Sequence, residues 1–202
     1  MTTIAGPDVW DERYRAKDLV WSLEPNLFVA AHLAGLEPGT AVDLAAGEGR
    51  NALWLASRGW AVTAVDFSEV AIDRGRRLAA ERGIGGVEWV VADGLMWQPD
   101  SPVDLVVLSY FQLPEPQRSQ AVAAAASWVA PGGTFFLVGH DQSNVTDGYG
   151  GPTSVAVCHD PTEVIDLLEG FEVVVAEVAR RPVDTAEGER VALDTVVVAR
   201  RS

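Results

Sequence analysis

Residues 42 to 52, VDLAAGEGRNA, constrain this chain more than any other stretch. An apolar run reaches Asp43, turns through Gly47 and Gly49, and opens a helix at Arg50. A strand, a tight turn and a helix N-terminus in succession leave backbone N–H groups unpaired and pointing outward, which makes a ligand cradle. The acid inside it restricts what the cradle accepts. A carboxylate repels a pyrophosphate and attracts a ligand that carries a sulfonium or ammonium group.

The rest of the chain repeats this unit. Strands are predicted at 40 to 44, 61 to 65, 87 to 92, 104 to 108 and 134 to 139, with two more at 171 to 179 and 190 to 200. Helices fall at 8 to 18, 24 to 35 and 50 to 58, from Ser68 to about Arg82, from Pro114 to about Ala130, and from Pro161 to Gly170. Gly59 and Gly83 are C-caps and Ser68 an N-cap. Strands alternating with helices imply an α/β fold with a doubly wound, mostly parallel sheet of seven strands. The last two strands flank a turn around Pro182 to Glu189 and close as an antiparallel hairpin. Residues 140 to 158 form a long polar, glycine-rich loop, a kind of segment that is more often functional than idle. With no linker or repeat, 1 to 202 reads as one domain.

Asp43, Asp66 and Asp93 each close one of the first three strands, at spacings of 23 and 27 residues. One strand-helix-strand unit separates each from the next, so all three converge on the carboxyl edge of the sheet, where open α/β folds bind ligands. Asp66 is placed to accept hydrogen bonds from two ribose hydroxyls, and Asp93 from an adenine amine, with Phe67 and Leu95 against the ring. The competing reading is that each acid caps the helix behind it. A positively charged nucleoside of this description is S-adenosylmethionine. NAD is the alternative, because GEGRNA also matches G-x-G-x-x-A with Asp66 lying 19 residues past Gly47. Asp43 ahead of the glycines and the closing hairpin speak against NAD.

Charge narrows the partner. A formal net charge of −14 with only short basic clusters disfavours a nucleic-acid partner, since phosphate binding needs massed Lys and Arg. No apolar run is long enough to span a membrane, and the first residues lack the pattern of a signal peptide. A single cysteine, Cys158, excludes an internal disulfide framework and fits a reducing cytoplasm. Cys158, His159 and Asp160 have no partner pair at zinc spacing, so no metal site is expected. A small molecule is the expected acceptor.

In VDLAAGEGRNALWLASRGWAVTAVDFS, VADGLMW and WVAPGGTFFLVGH the chain resembles a class I S-adenosylmethionine-dependent methyltransferase, similar to the tellurite-resistance and thiopurine type. The resemblance covers nearly the whole chain. It implies that Asp43 and the backbone from Ala45 to Gly47 hold the methionine part. Asp66 and Phe67 fall to the ribose and adenine, and Asp93, Gly94 and Leu95 to the adenine edge. That family has glycine where this chain has Ala45, a departure that tightens the loop. The N-terminal WDERYRAKDLVWSLEPN resembles a lid within residues 1 to 35, closing Arg13, Tyr14 and Trp21 on the sulfonium end. An ordinary amphipathic helix with Trp10 and Tyr14 packed inward is the alternative.

Methyl transfer from a sulfonium is an in-line displacement, so the protein's task is orientation, water exclusion and, for an oxygen or nitrogen acceptor, a general base. A thiol or a chalcogen oxyanion needs less help. The fourth strand end supplies Ser109, Tyr110 and Gln112, with Ser109 assigned to the cofactor and Tyr110 to catalysis. The stretch LSYFQLP lacks the Asn/Asp-Pro-Pro-aromatic pattern of DNA and protein N-methyltransferases. His140, at the fifth strand end, is the general-base candidate. Its alternative is a histidine that bonds backbone at a strand end. A cofactor-binding module without catalysis is the non-enzymatic reading of the same features.

Overall fold

A computed structural model describes residues 7–16 and 24–202 of the chain. Two helices, α1 (Pro7–Arg15) and α2 (Leu27–Leu33), precede a seven-stranded sheet. Then follow β1 (Thr40–Leu44), α3 (Arg50–Ser57), β2 (Ala61–Asp66), α4 (Glu69–Arg82), β3 (Val87–Val91) and β4 (Val103–Ser109). The remainder is α5 (Gln117–Ser127), β5 (Val129–His140), α6 (Asn144–Asp147), α7 (Pro161–Ile165), β6 (Phe171–Thr185) and β7 (Gly188–Arg201). The spatial order is β3-β2-β1-β4-β5-β7-β6. The first five strands run parallel, and β7 is antiparallel to both β5 and β6.

Both faces of the central strands are covered. In β4, Leu105 and Val107 pack with α2 and α3 residues Val29, Leu33 and Leu55, while Val106 and Leu108 pack with Val122 and Ala125 of α5. This is why β4 reads as a continuous apolar run rather than an alternating one. Trp97 meets Trp128 edge-on at 5.5 Å on the α5 side and is packing.

Several predicted boundaries move, each for a local reason. α5 begins at Gln117, three residues beyond Pro114, with Pro116 in the cap position. Asn26 caps α2 by accepting from the Phe28 and Val29 N–H groups, so that helix starts at Leu27 rather than at 24. α7 is over by Ile165, short of Gly170. The Pro131-Gly132-Gly133 turn lies inside β5, where pairing with β4 jumps from Val103↔Val129 to Leu105↔Thr134. The closing hairpin is longer than predicted and turns only at residues 186 and 187. Pro182 sits within its ladder opposite Val191. A proline there is tolerated because β6 is an edge strand, where a missing N–H faces solvent. The loop from 140 to 158 is partly structured, holding α6 and a 3-10 turn at Val155–Val157.

Candidate active site

The turn after β1 uses backbone that most residues avoid. Gly47 and Gly49 have φ of 57° and 78°, and Ala45 has φ of 59°. A non-glycine residue in this region costs about 1–2 kcal/mol, which accounts for glycine at that position in the resembling family. Ala45 therefore strains the loop rather than tightening it. Beneath the turn, the Trp89 indole fills the space that a Cβ on Gly49 or Gly75 would take, at 2.3 Å from each built position. Glu48 is buried and paired with Arg74 at 2.6 Å.

The three acids all bond nearby backbone, but only Asp43 caps the helix behind it as the capping alternative requires. Asp43 is the penultimate residue of β1, wholly buried, and its Oδ2 accepts from the Ala52 N–H at 3.0 Å, holding the first turn of α3. Its Oδ1 has no hydrogen-bond partner. Burial pushes its pKa up to about 7, against the pull of the Ala52 N–H and Arg50. Asp43 thus acts from beneath the turn and presents no charge on its surface, a correction to the simple electrostatic picture. Asp66 ends β2 and accepts from the Gly47 N–H at 2.8 Å and the Ser68 N–H at 2.9 Å, so it ties the β1 turn to the start of α4. Burial raises its pKa in spite of those two bonds. Asp93 lies two residues past the end of β3, is exposed, and accepts from the Leu95 N–H at 2.9 Å. It does not terminate its strand as the spacing suggested. Phe67, Gly94 and Leu95 are half-buried at the same edge.

α1 is fastened to this rim. The Asp11 carboxylate accepts from the Ser68 hydroxyl, and Arg74 donates to the Tyr14 carbonyl at 2.7 Å while holding Glu48. Tyr14 is buried, with its ring 6.0 Å from the half-buried Trp10, so the inward packing of the amphipathic alternative holds for Tyr14. Arg13 belongs to α1, but its side chain, like all of Trp21, lies outside the described residues.

The second half of the edge gathers around an acid that the sequence reading missed. Asp194 of β7 is wholly buried and sits opposite His140 in the ladder. Its Oδ2 accepts from Arg181 Nε at 2.6 Å and from the Tyr110 hydroxyl at 2.9 Å. His140 Nδ1 lies 3.2 Å from Oδ1, off the line of a good hydrogen bond, so neither atom has a well-aligned partner. Burial would raise the Asp194 pKa, and the adjoining His140 and Arg181 outweigh it, leaving the carboxyl below its usual range. Burial and then Asp194 push the Tyr110 hydroxyl well up. Tyr110 follows the half-buried Ser109, has φ of 56°, and sets its ring 4.9 Å from His140, tilted by 56°. The signal for Asp194 was the one charged residue in VALDTVVVA, a stretch apolar apart from Asp194 and Thr195. Arg181 could be found only through its register with that strand.

The following loop is pinned beside this cluster. Asp141 accepts from Thr195 at 2.7 Å and from Ser143, and Asn144 Oδ1 accepts from the Leu193 N–H at 2.7 Å. Gly151 brings its backbone against the His140 ring, so that a Cβ there would fall 2.8 Å from the imidazole. His159 is buried against Gly139, and burial, then Arg118, lowers its pKa to about 4. Cys158 is buried, and Arg118 donates to its carbonyl. Among the described residues no cluster of His, Cys, Asp or Glu could hold a metal ion, and no helix is long and apolar enough to cross a membrane.

Residues 41–133 match the family described as methyltransferase domain. Ribosomal RNA small subunit methyltransferase C of Alcanivorax borkumensis is 30% identical over 112 residues, covering 52% of this chain and 34% of that protein. The chain thus spans about a third of that relative's length. Among solved structures, TehB from Haemophilus influenzae superposes with a TM-score of 0.74 at 16% identity over 97% of this chain and 67% of that one. A protein solved in work on converting a disulfide bond into a thioacetal group during echinomycin biosynthesis gives 0.74 at 23%, covering 97% and 91%. Magnesium protoporphyrin IX methyltransferase from Synechocystis, solved with bound S-adenosylmethionine, gives 0.64 at 18%, covering 96% and 80%. The fold is that of the class I S-adenosylmethionine-dependent methyltransferases, the tellurite-resistance type among them. The matched segment, described as a methyltransferase domain, includes the G-x-G-x-x-A stretch, which favours S-adenosylmethionine over the NAD alternative.

Proposed function

We propose that this protein, with a methyltransferase domain at residues 41–133, transfers a methyl group from S-adenosylmethionine to a small-molecule acceptor such as a thiol or a chalcogen oxyanion. The observation that carries the acceptor side is the buried Asp194 carboxylate, shared by Arg181, Tyr110 and His140 beside the cofactor edge. A carboxylate beside a histidine ring nitrogen is the arrangement of a general base and its orienting partner. His140 is the base in this reading, Tyr110 lines the acceptor side, and Asp194 is a positioning residue.

The cradle fits the cofactor. The Ala45–Gly47 backbone is held open by positive φ, and Asp43 Oδ1 is a buried acceptor without a partner. Asp66, Phe67, Asp93, Gly94, Leu95 and Ser109 bind the nucleoside and adjoining groups, and α1 with Tyr14 covers the methionine end as a lid on a single domain. When bound, the cofactor supplies an electrophilic methyl group on a sulfonium. The chain holds donor and acceptor in line and keeps water away, effects that contribute about 7–11 kcal/mol in well-oriented systems. His140 takes the acceptor's proton where the acceptor has one to lose.

An RNA acceptor is opposed by the net charge of −14. The test is incubation with methyl-labelled S-adenosylmethionine and a panel of thiols, phenols, amines, selenium and tellurium oxyanions, and ribosomal RNA. Label should enter a small molecule, with turnover reduced in His140→Ala. Label in RNA alone contradicts the acceptor reading, and label nowhere despite tight binding supports a non-catalytic module.

A further inference from the structure

We propose that Arg181 anchors a carboxylate group on the methyl acceptor, which makes small carboxylate-bearing nucleophiles the substrate class. The inference rests on the methyl-transfer reading and extends it to a specificity residue.

Register places Arg181 where an acceptor would enter. His140 of β5, Asp194 of β7 and Ala179 of β6 form one row across the sheet. Arg181 lies two residues further along β6, opposite Ala192, past the last rung of β5. From Arg180↔Leu193 to Thr185↔Gly188 the hairpin continues as a two-stranded ribbon beyond the carboxyl edge, with Arg181 at its root.

The guanidinium is fixed but not used up. Its Nε donates to Asp194, and its Cζ lies 5.8 Å from the centre of the Tyr110 ring. Its side chain is 25% exposed, whereas Asp194 is 0% exposed. Among the described residues Asp194 is the one carboxylate paired with Arg181, and that carboxylate is also shared with Tyr110 and His140. Arginine carries five donors in a planar fork, so the Nη groups still have capacity for a second planar carboxylate. Holding Nε in place lowers the ordering cost of that second contact.

Charge points the same way. Arg181 lies over the Tyr110 ring and Arg50 is within electrostatic range of both, in a chain of net charge −14. Guanidiniums so placed attract an anion to an otherwise acidic surface. A carboxylate seated on Arg181 leaves the rest of a small acceptor beside the Tyr110–His140 ring pair.

The experiment compares 2-mercaptobenzoate with thiophenol, which differ by the carboxylate, in calorimetric titrations of the protein saturated with S-adenosylhomocysteine. The wild type should bind 2-mercaptobenzoate at least about tenfold more tightly, the scale of one charge-assisted contact. Arg181→Met should reduce the preference to about twofold or less. Because that change strips a partner from buried Asp194, Arg181→Lys is measured beside it, keeping the ion pair while losing the planar fork. It should also lose most of the preference. A wild type that does not distinguish the two probes overturns the proposal, as does a folded Arg181→Lys protein that keeps the full preference. S-adenosylhomocysteine affinity separates the layers. If it is normal in the wild type while the carboxylate preference is missing, Arg181 has been misread. If the wild type does not bind it at all, the methyl-transfer reading itself fails.

Discussion

On the cofactor side of the sheet edge, the decisive side chains bond backbone near them in sequence: Asp43 to the N–H nine residues on, and Asp66 to the N–H nineteen residues back. On the acceptor side, Tyr110 reaches Asp194 across 84 residues, and Arg181 and His140 arrive from two further strands. The first region is a local motif. The second exists only once β4, β5, β7 and β6 have paired. On the proposed reading, a cofactor shared by many enzymes is served by a fixed local device, and acceptor choice falls to the part of the fold that depends on register.

The sharpest way to break this comparison is pH, because each half buries one group whose protonation opposes the other's. Asp43 has its folded pKa raised to about 7. It favours folding fully below its unfolded value near 4, and that contribution is lost as pH rises to about 7, on the order of 4 kcal/mol. His159 has its folded pKa lowered to about 4. Its contribution is present above its unfolded value near 6.5 and is lost as pH falls towards 4, on the order of 3 kcal/mol. The two trends nearly cancel between pH 4 and 6.5. Denaturant titrations should show wild-type stability changing little there, Asp43→Asn gaining stability as pH rises, and His159→Gln losing it. Parallel slopes in all three proteins contradict the assignment.

The next effect separates the halves by function. Asp194→Asn should lower kcat about a hundredfold and alter the pH profile of turnover, with S-adenosylhomocysteine affinity unchanged. Loss of affinity equal to the loss of kcat would mean that the two halves are not distinct. Asp66→Ala is the converse. It should weaken S-adenosylhomocysteine binding by roughly one to two orders of magnitude in calorimetry. The smallest expected effect is Ala45→Gly. Relief at φ of 59° should stabilise the protein by up to about 1 kcal/mol in thermal unfolding, partly offset by the freer unfolded chain.

The same contrast explains what the sequence disclosed. The strand, turn and helix around Asp43, the Ser68 cap and the order of βα units were legible because periodicity and capping are short-range properties. His140 was legible as a polar residue at a strand end. Asp194 and Arg181 were not, since nothing in a hairpin's sequence states which strand it will pair with. The hairpin's extent was misjudged because Pro182 is a breaker anywhere except on an edge strand, and edge position is a fact of topology. The backbone bonds of all three acids show a further limit. A carboxylate near a ligand edge can hold backbone and serve a ligand at once, and residue spacing does not divide those tasks.

The central claim is that a cationic nucleoside binds at the β1–β2 rim independently of the Asp194 cluster. Calorimetric titration of S-adenosylmethionine, with NADH as the control, into the wild type, Asp66→Ala and Asp194→Asn tests it most directly. Saturable binding of S-adenosylmethionine that is weakened only in Asp66→Ala is the predicted result. Saturation by NADH with no heat from S-adenosylmethionine would contradict it.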